Sequence, residues 1–138
     1  AKKHRIKVAV HNHPSEQSYW KPEILLNDIR ERSELLGACA DVGHYKRMDL
    51  DPVACLKELE GRIVSLHFKD VAPQGEGGTL EDTVWGKGIL NVKGMMEELK
   101  RQNFKGYFTI EYEADWENNL PRIKESIEYF NQVTNNIL

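Results

Sequence analysis

The sequence predicts an α/β domain in which four βα units build a parallel sheet. Three observations predict it. Strand-like runs alternate with helical patterns four times within 138 residues. Such alternation suits parallel strands, whose connections must cross over the sheet, and these crossovers are almost always right-handed. Residues able to carry chemistry stand after each strand, on the side where parallel sheets place their sites. A chain of this length is expected to form one domain, spanning residues 1–138.

The first strand is residues 5–10, with Ile6, Val8 and Val10 alternating along it. Pro22 stands at a helix start, where its missing N–H is no loss, and Ile24, Leu25, Ile29, Leu35 and Leu36 follow at helical spacing. Gly37 ends that helix and opens a short strand of small residues, 37–40. Asp51 can cap the next helix, with Pro52 at its first position and Val53, Leu56 and Leu59 turned inward. Residues 62–67 read as a buried strand. From Asp70 to Leu90 comes a break holding Gly75, Gly77, Gly78, Gly86 and Gly88, expected to be a lid or binding loop. A helix over 92–102 puts Met95, Met96 and Leu99 on its core face. Residues 107–110 make the fourth strand and 120–133 a last helix, and the tail from Thr134 is expected to fray.

Composition narrows the function. Nineteen basic against 22 acidic residues leave a net charge of −3, without the basic footprint of a nucleic-acid binder. No window approaches the run of about 18 apolar residues that a membrane span needs, and no export leader is recognisable. Cys39 and Cys55 form no CxxC pair and sit in apolar surroundings, so they read as buried thiols of a cytoplasmic protein.

Each strand runs into ionisable residues. The first leads to His11 and His13, the second to Asp41 and His44, the third to His67 and Asp70, the fourth to Glu111 and Glu113. Any one of these could simply cap a helix or close a turn. Their coincidence in all four units points to a shared face. Imidazole nitrogens and carboxylate oxygens gathered there suit a divalent metal, whose water shell they replace.

The segments VAVHNHP (8–14), ADVGH (40–44), SLHFKD (65–70), WGKG (85–88) and TIEYE (109–113) resemble the sugar phosphate isomerase/epimerase family, the xylose isomerase-like TIM barrels. The resemblance covers nearly the whole chain but only strands five to eight of such a barrel. It therefore implies a half TIM barrel, since a complete one needs about 250 residues and eight βα units. A four-stranded parallel piece leaves two edges and an uncovered inner face, so a homodimer, or another assembly hiding those edges, is expected.

The resemblance implies that Asp41, His67 and Glu111 hold one divalent ion (manganese, magnesium, cobalt or zinc), with a further ligand from the group His11, His13 and Glu16. It implies that His44 contacts a substrate oxygen and that Glu111 removes a proton next to a metal-polarised carbonyl, while a strand-five partner such as His11 returns one. The implied activity is isomerisation or epimerisation of a small sugar or polyol. The other readings are a catalytically inactive half-barrel, whether fragment or engineered block, and an apurinic-site endonuclease, which lacks its further D-x-H pair here and suits the acidic balance badly. His13 is a further substrate contact, and Trp20 and Trp85 either stack on a sugar ring or pack locally. Lys69 either steadies a substrate anion or is a solvated lysine beside Asp70.

Overall fold

The computed structural model describes residues 1–137. After a short 3-10 turn (Lys2–His4) the elements are β1 (Val8–His11), α1 (Pro22–Ile29), β2 (Leu36–Asp41), α2 (Val42–Arg47) and α3 (Pro52–Glu58). There follow β3 (Ile63–Phe68), β4 (Asp70–Gln74), β5 (Thr79–Thr83), α4 (Val92–Arg101), β6 (Tyr107–Ile110) and α5 (Leu120–Ile137). The strands β1-β2-β3-β6 form one parallel sheet in that order, so β1 and β6 are its edges. Four strands, each followed by helix, give the α/β half-barrel expected.

Alternate side chains of a strand go to opposite faces. Ala38, Ala40, Leu66 and Phe68 lie on the helix side, buried with Leu25, Ile29, Tyr45, Leu56, Met95 and Leu99 in one apolar core. The other face carries His11, Cys39, Ser65 and Tyr107 at one level and Asp41, His67 and Thr109 at the next. Ala9 and Gly37 pair below them. This inward face is small or polar and stays open at its β6 side, where Tyr107 is 80% exposed.

Several boundaries differ from expectation. Helix α1 stops at Ile29 rather than running on to Leu36, because Arg32 N–H and Leu36 N–H bond back to Ile29 and Ser33 in successive turns. Leu35 then accepts from Val8 N–H and Leu36 opens β2, so both leucines serve the sheet. Helix α2 was not anticipated, since Gly43 is a poor helix former, yet the Asp41 side chain caps it by accepting from His44 N–H at 2.9 Å.

The expected loop after Asp70 is instead an antiparallel hairpin, β4 with β5, turning through residues 75–78, where Gly75 and Gly78 take positive φ. Pro73, Glu81 and Asp82 hide it from a strand pattern. Residues 84–90 beyond it are held by one side chain. The Asp70 carboxylate accepts from the backbone N–H groups of Val71, Gly86, Gly88 and Leu90 at 2.9–3.1 Å. Gly88 is required for that approach, because a Cβ there would lie 2.1 Å from Asp70 Oδ1. The C-terminal tail continues α5 to Ile137, with the buried Thr134 hydroxyl donating to Phe130 O. Leu138 lies outside the described residues.

Candidate metal centre

Asp41 is both the last residue of β2 and the cap of α2, which leaves its carboxylate at the strand end with one oxygen committed and one free. Buried Asn12 fixes its backbone from β1's side, accepting from Asp41 N–H at 2.7 Å and donating to Asp41 O at 3.0 Å. The free oxygen, Oδ2, is buried and has no hydrogen-bond partner. Around it stand His11 Nε2 at 3.5 Å, His44 Nε2 at 3.6 Å and Lys69 Nζ at 3.6 Å. His11 Nε2 and His67 Nδ1 are buried and unpartnered as well. His67 Nδ1 lies 3.3 Å from a Glu111 oxygen. Buried polar atoms left without partners are costly. Here two are imidazole nitrogens and one a carboxylate oxygen, with His11 close to each of the other two residues, so the residues fit a divalent cation.

Charge at the centre is biased toward ligation. Burial penalises the Asp41 carboxylate, but His11, His44, Lys69 and the His44 N–H together hold its carboxyl below the usual range. Burial pushes His44 down to about 4, with Lys69, Arg47 and His13 adding to the shift against Asp41. The His44 ring is therefore neutral near pH 7. Arg47 Nη1, which can only donate, lies 3.1 Å from His44 Nδ1. That contact assigns the ring proton to Nε2 and makes His44 an N–H donor facing the site.

A second layer supports the first. Lys69 is buried, and its ammonium contacts Asp41 and Asp82 at 3.6 and 3.7 Å and pairs closely with Glu113. Its stem packs on Gly43, where a Cβ would come within 2.7 Å of Lys69 Cβ. Asp82, on β5, binds Arg47 at 2.5 Å and accepts from Glu113 N–H at 2.7 Å. The hairpin is thus clamped to α2, to the end of β3 and to the segment after β6. Lys69 holds the Glu113 carboxyl below its ordinary range, with burial opposing.

The structure brings His11, Asp41, His44 and His67 together, with Glu111 beside His67. The geometry also gathers two possible ligand groups among the described residues, His11–Asp41–His44 and His11–Cys39–His67. His13 is exposed at the rim, its ring centroid 4.8 Å from His11 and 5.0 Å from His44. Glu16 is in neither group and stays exposed in the turn closed by Ser18 N–H and Ser15 O.

Two expectations are corrected. Trp85 is 3% exposed and wedged between Phe68 and Phe130 on the helix side, so it cannot stack on a sugar. Lys69 is neither solvated nor free for substrate, because three carboxylates hold it. Trp20 is half-buried with the Lys21 ammonium 5.3 Å from its ring centroid. Sequence reasoning missed Asn12, Arg47 and Asp82, and it read Cys39 as the buried thiol it is without placing it on the inward face. The two-residue period puts Cys39 on Asp41's face, and helical spacing puts Arg47 one turn from His44. Asp82 gave no such signal, since its place depends on the hairpin.

The chain matches the family model described as xylose isomerase-like TIM barrel over residues 1–133. Inosose dehydratase from Lactiplantibacillus plantarum is 32% identical over 83% of this chain and 43% of its own. The chain therefore spans about half the length of the curated relatives it matches. Among solved structures, a D-tagatose 3-epimerase-like protein superposes with a TM-score of 0.80 at 23% identity, over 99% of this chain and 50% of that one. The IOLI protein with a binding zinc atom gives a TM-score of 0.78 at 20% identity, over 100% of this chain and 52% of its own.

Proposed function

The chain belongs to the xylose isomerase-like TIM-barrel family, and from that premise we propose that it is the metal-binding half of an enzyme acting on a small sugar or polyol. The reaction is proton transfer at the carbon beside a carbonyl, the step that isomerisation and epimerisation share. The observation that carries this reading is the convergence of three buried, unpartnered atoms, His11 Nε2, Asp41 Oδ2 and His67 Nδ1, on one open sheet face.

Asp41, His11, His67 and Glu111 would hold a divalent ion. When bound, such an ion supplies Lewis acidity toward substrate oxygens. The ion is of the manganese, magnesium, cobalt or zinc group, and the zinc atom in one structural relative supports that choice. The Glu111 carboxylate, part-exposed at the open face, is placed to take the proton. His44, neutral and protonated at Nε2, donates a hydrogen bond to a substrate oxygen, and Arg47 keeps it in that tautomer. His11 is the group of the first strand available to return a proton, and rim residue His13 is placed to contact substrate. Lys69 balances the buried carboxylates so that Asp41 stays ionised. Since β1 and β6 are unpaired edges, turnover is assigned to this chain joined to a second half-barrel, a homodimer in the simplest case. Two free, buried thiols suit a cytoplasmic location, and no described helix is long and apolar enough to cross a membrane.

The curated relatives favour a second reading of the chemistry. They are inosose dehydratases, and dehydration can begin with the same proton removal, followed by loss of a hydroxyl from the next carbon. Calorimetric titration of chelator-stripped chain with Mn²⁺, beside Asp41→Asn and Glu111→Ala, tests the site. Saturable binding that weakens sharply in both variants supports it, whereas equal or absent binding removes it. Uptake of solvent deuterium by ketose substrates tests the proton step, and mass analysis of the products separates dehydration from isomerisation. A metal-loaded assembly without deuterium uptake is an inactive half-barrel.

A further inference from the structure

Among the described residues, Cys39 is the one soft donor on the inward face. It stands directly across from His11 in the β1–β2 register, and two residues before Asp41 on the same strand face. Its neighbour across β3 is Ser65, one level below His67. Ligand atoms of Cys39, His11 and His67 all lie within 4.8 Å of one another, close enough for one ion to collect after small side-chain rotations. The cysteine is not the whole case. His11 Nε2 and His67 Nδ1 have no partner, and the fully buried Asp41 Oδ2 also lacks one, 3.5 Å from His11 Nε2.

We propose that Cys39 is a metal ligand from the layer beneath Asp41, and that its sulfur makes this centre selective for zinc-like ions over magnesium and manganese. The inference rests on the metal-site reading above and adds to it the identity of a donor and of the ion. A thiolate is a poor ligand for hard, oxygen-seeking Mg²⁺ and a strong one for Zn²⁺ or Co²⁺. With the two imidazoles it makes a three-donor set of the kind zinc accepts, and Asp41, 3.5 Å from His11, stands nearest for the fourth position. Coordination displaces the thiol proton, which leaves to solvent across the open face. The sulfur undergoes no redox change. Cys55, on α3 in the apolar core, has no such neighbours and serves as an internal control.

Cobalt is the probe, because a Co²⁺–thiolate bond shows a charge-transfer band in the near ultraviolet that nitrogen and oxygen donors do not produce. Chelator-stripped full chain is titrated with Co²⁺ and Zn²⁺, beside Cys39→Ser, Cys39→Ala and Cys55→Ser, with folding of each checked by circular dichroism. The band is expected in the wild type and in Cys55→Ser and absent from both Cys39 variants. Zinc affinity should fall by about 100-fold or more without Cys39, beyond the usual cost of losing a group that only supports a ligand, while manganese affinity stays within about twofold. Should a Cys39 variant fail to fold, the wild-type band and zinc's competition against excess Mg²⁺ still decide. Binding that Asp41→Asn abolishes, with no sulfur band and unchanged affinity in Cys39→Ser, overturns this inference and leaves the metal site standing. Absence of any binding overturns both.

Discussion

The two faces of the four-stranded sheet are made from alternate residues of the same strands and behave as different materials. On the helix side Leu66, Phe68 and Ala40 are sealed from water and packed against five helices. On the inward side the same strands present Thr109 together with His67 and Asp41, each of the last two with a buried polar atom that lacks a partner. Apolar burial dominates stability, whereas unpartnered polar atoms are costs kept where function uses them. One face holds the chain together, and the other carries chemistry that the first makes tolerable.

The largest expected effect is on the closed face. Phe68→Ala should lose about 4 kcal/mol of unfolding free energy in urea, because its ring is fully buried between Trp85 and Phe108. A loss below about 1 kcal/mol would break the contrast. Lys69→Met should cost about 3 kcal/mol, since it strands the buried Asp41 carboxylate without its cation and leaves Asp82 with Arg47 alone. A stabilised variant would show that those carboxylates are better solvated than their burial implies.

Acid should act through the inward face. The unfolded chain takes up the His44 proton near 6.5, whereas the folded chain resists until about 4. The folded state is thus fully stable with respect to this group above about pH 6.5 and loses stability as pH falls towards 4, in total on the order of 3 kcal/mol. Urea midpoints of wild type and His44→Gln should diverge at neutral pH and converge on acidification. Parallel curves would mean that His44 does not titrate as described. The smallest effect is Thr109→Ala, within about 0.5 kcal/mol by the same urea assay, because this inward position is exposed. A cost matching that of Phe68→Ala would erase the difference between the faces.

The parallel sheet was legible because its signal is local. Residues 107–110 form β6 as expected, and Asp51 and Pro52 start α3 through a side-chain bond to Val53 N–H. His11, Asp41, His44 and His67 were legible through strand-end position and family likeness. The hairpin was not, because its strands are stabilised by Asp82 reaching Arg47 and Lys69, residues 35 and 13 positions earlier. Lys69's burial was hidden for the same reason, since its three carboxylate partners come from three different segments. Trp85 misled because a tryptophan in a glycine-rich loop looks exposed until Phe68 and Phe130 are brought to it.

Ala9, Gly37, Cys39, Ser65 and Thr109 keep much of the inward face small, and its larger side chains, His11, His67 and Tyr107, are polar. TIM-barrel interiors are filled by layers of side chains in which bulky branched residues predominate. A wall with so few large aliphatic side chains contributes little dry filling. Two copies of this face brought together would enclose a wet lumen. The small residues therefore leave room at the centre of a closed barrel for water and for a polar guest.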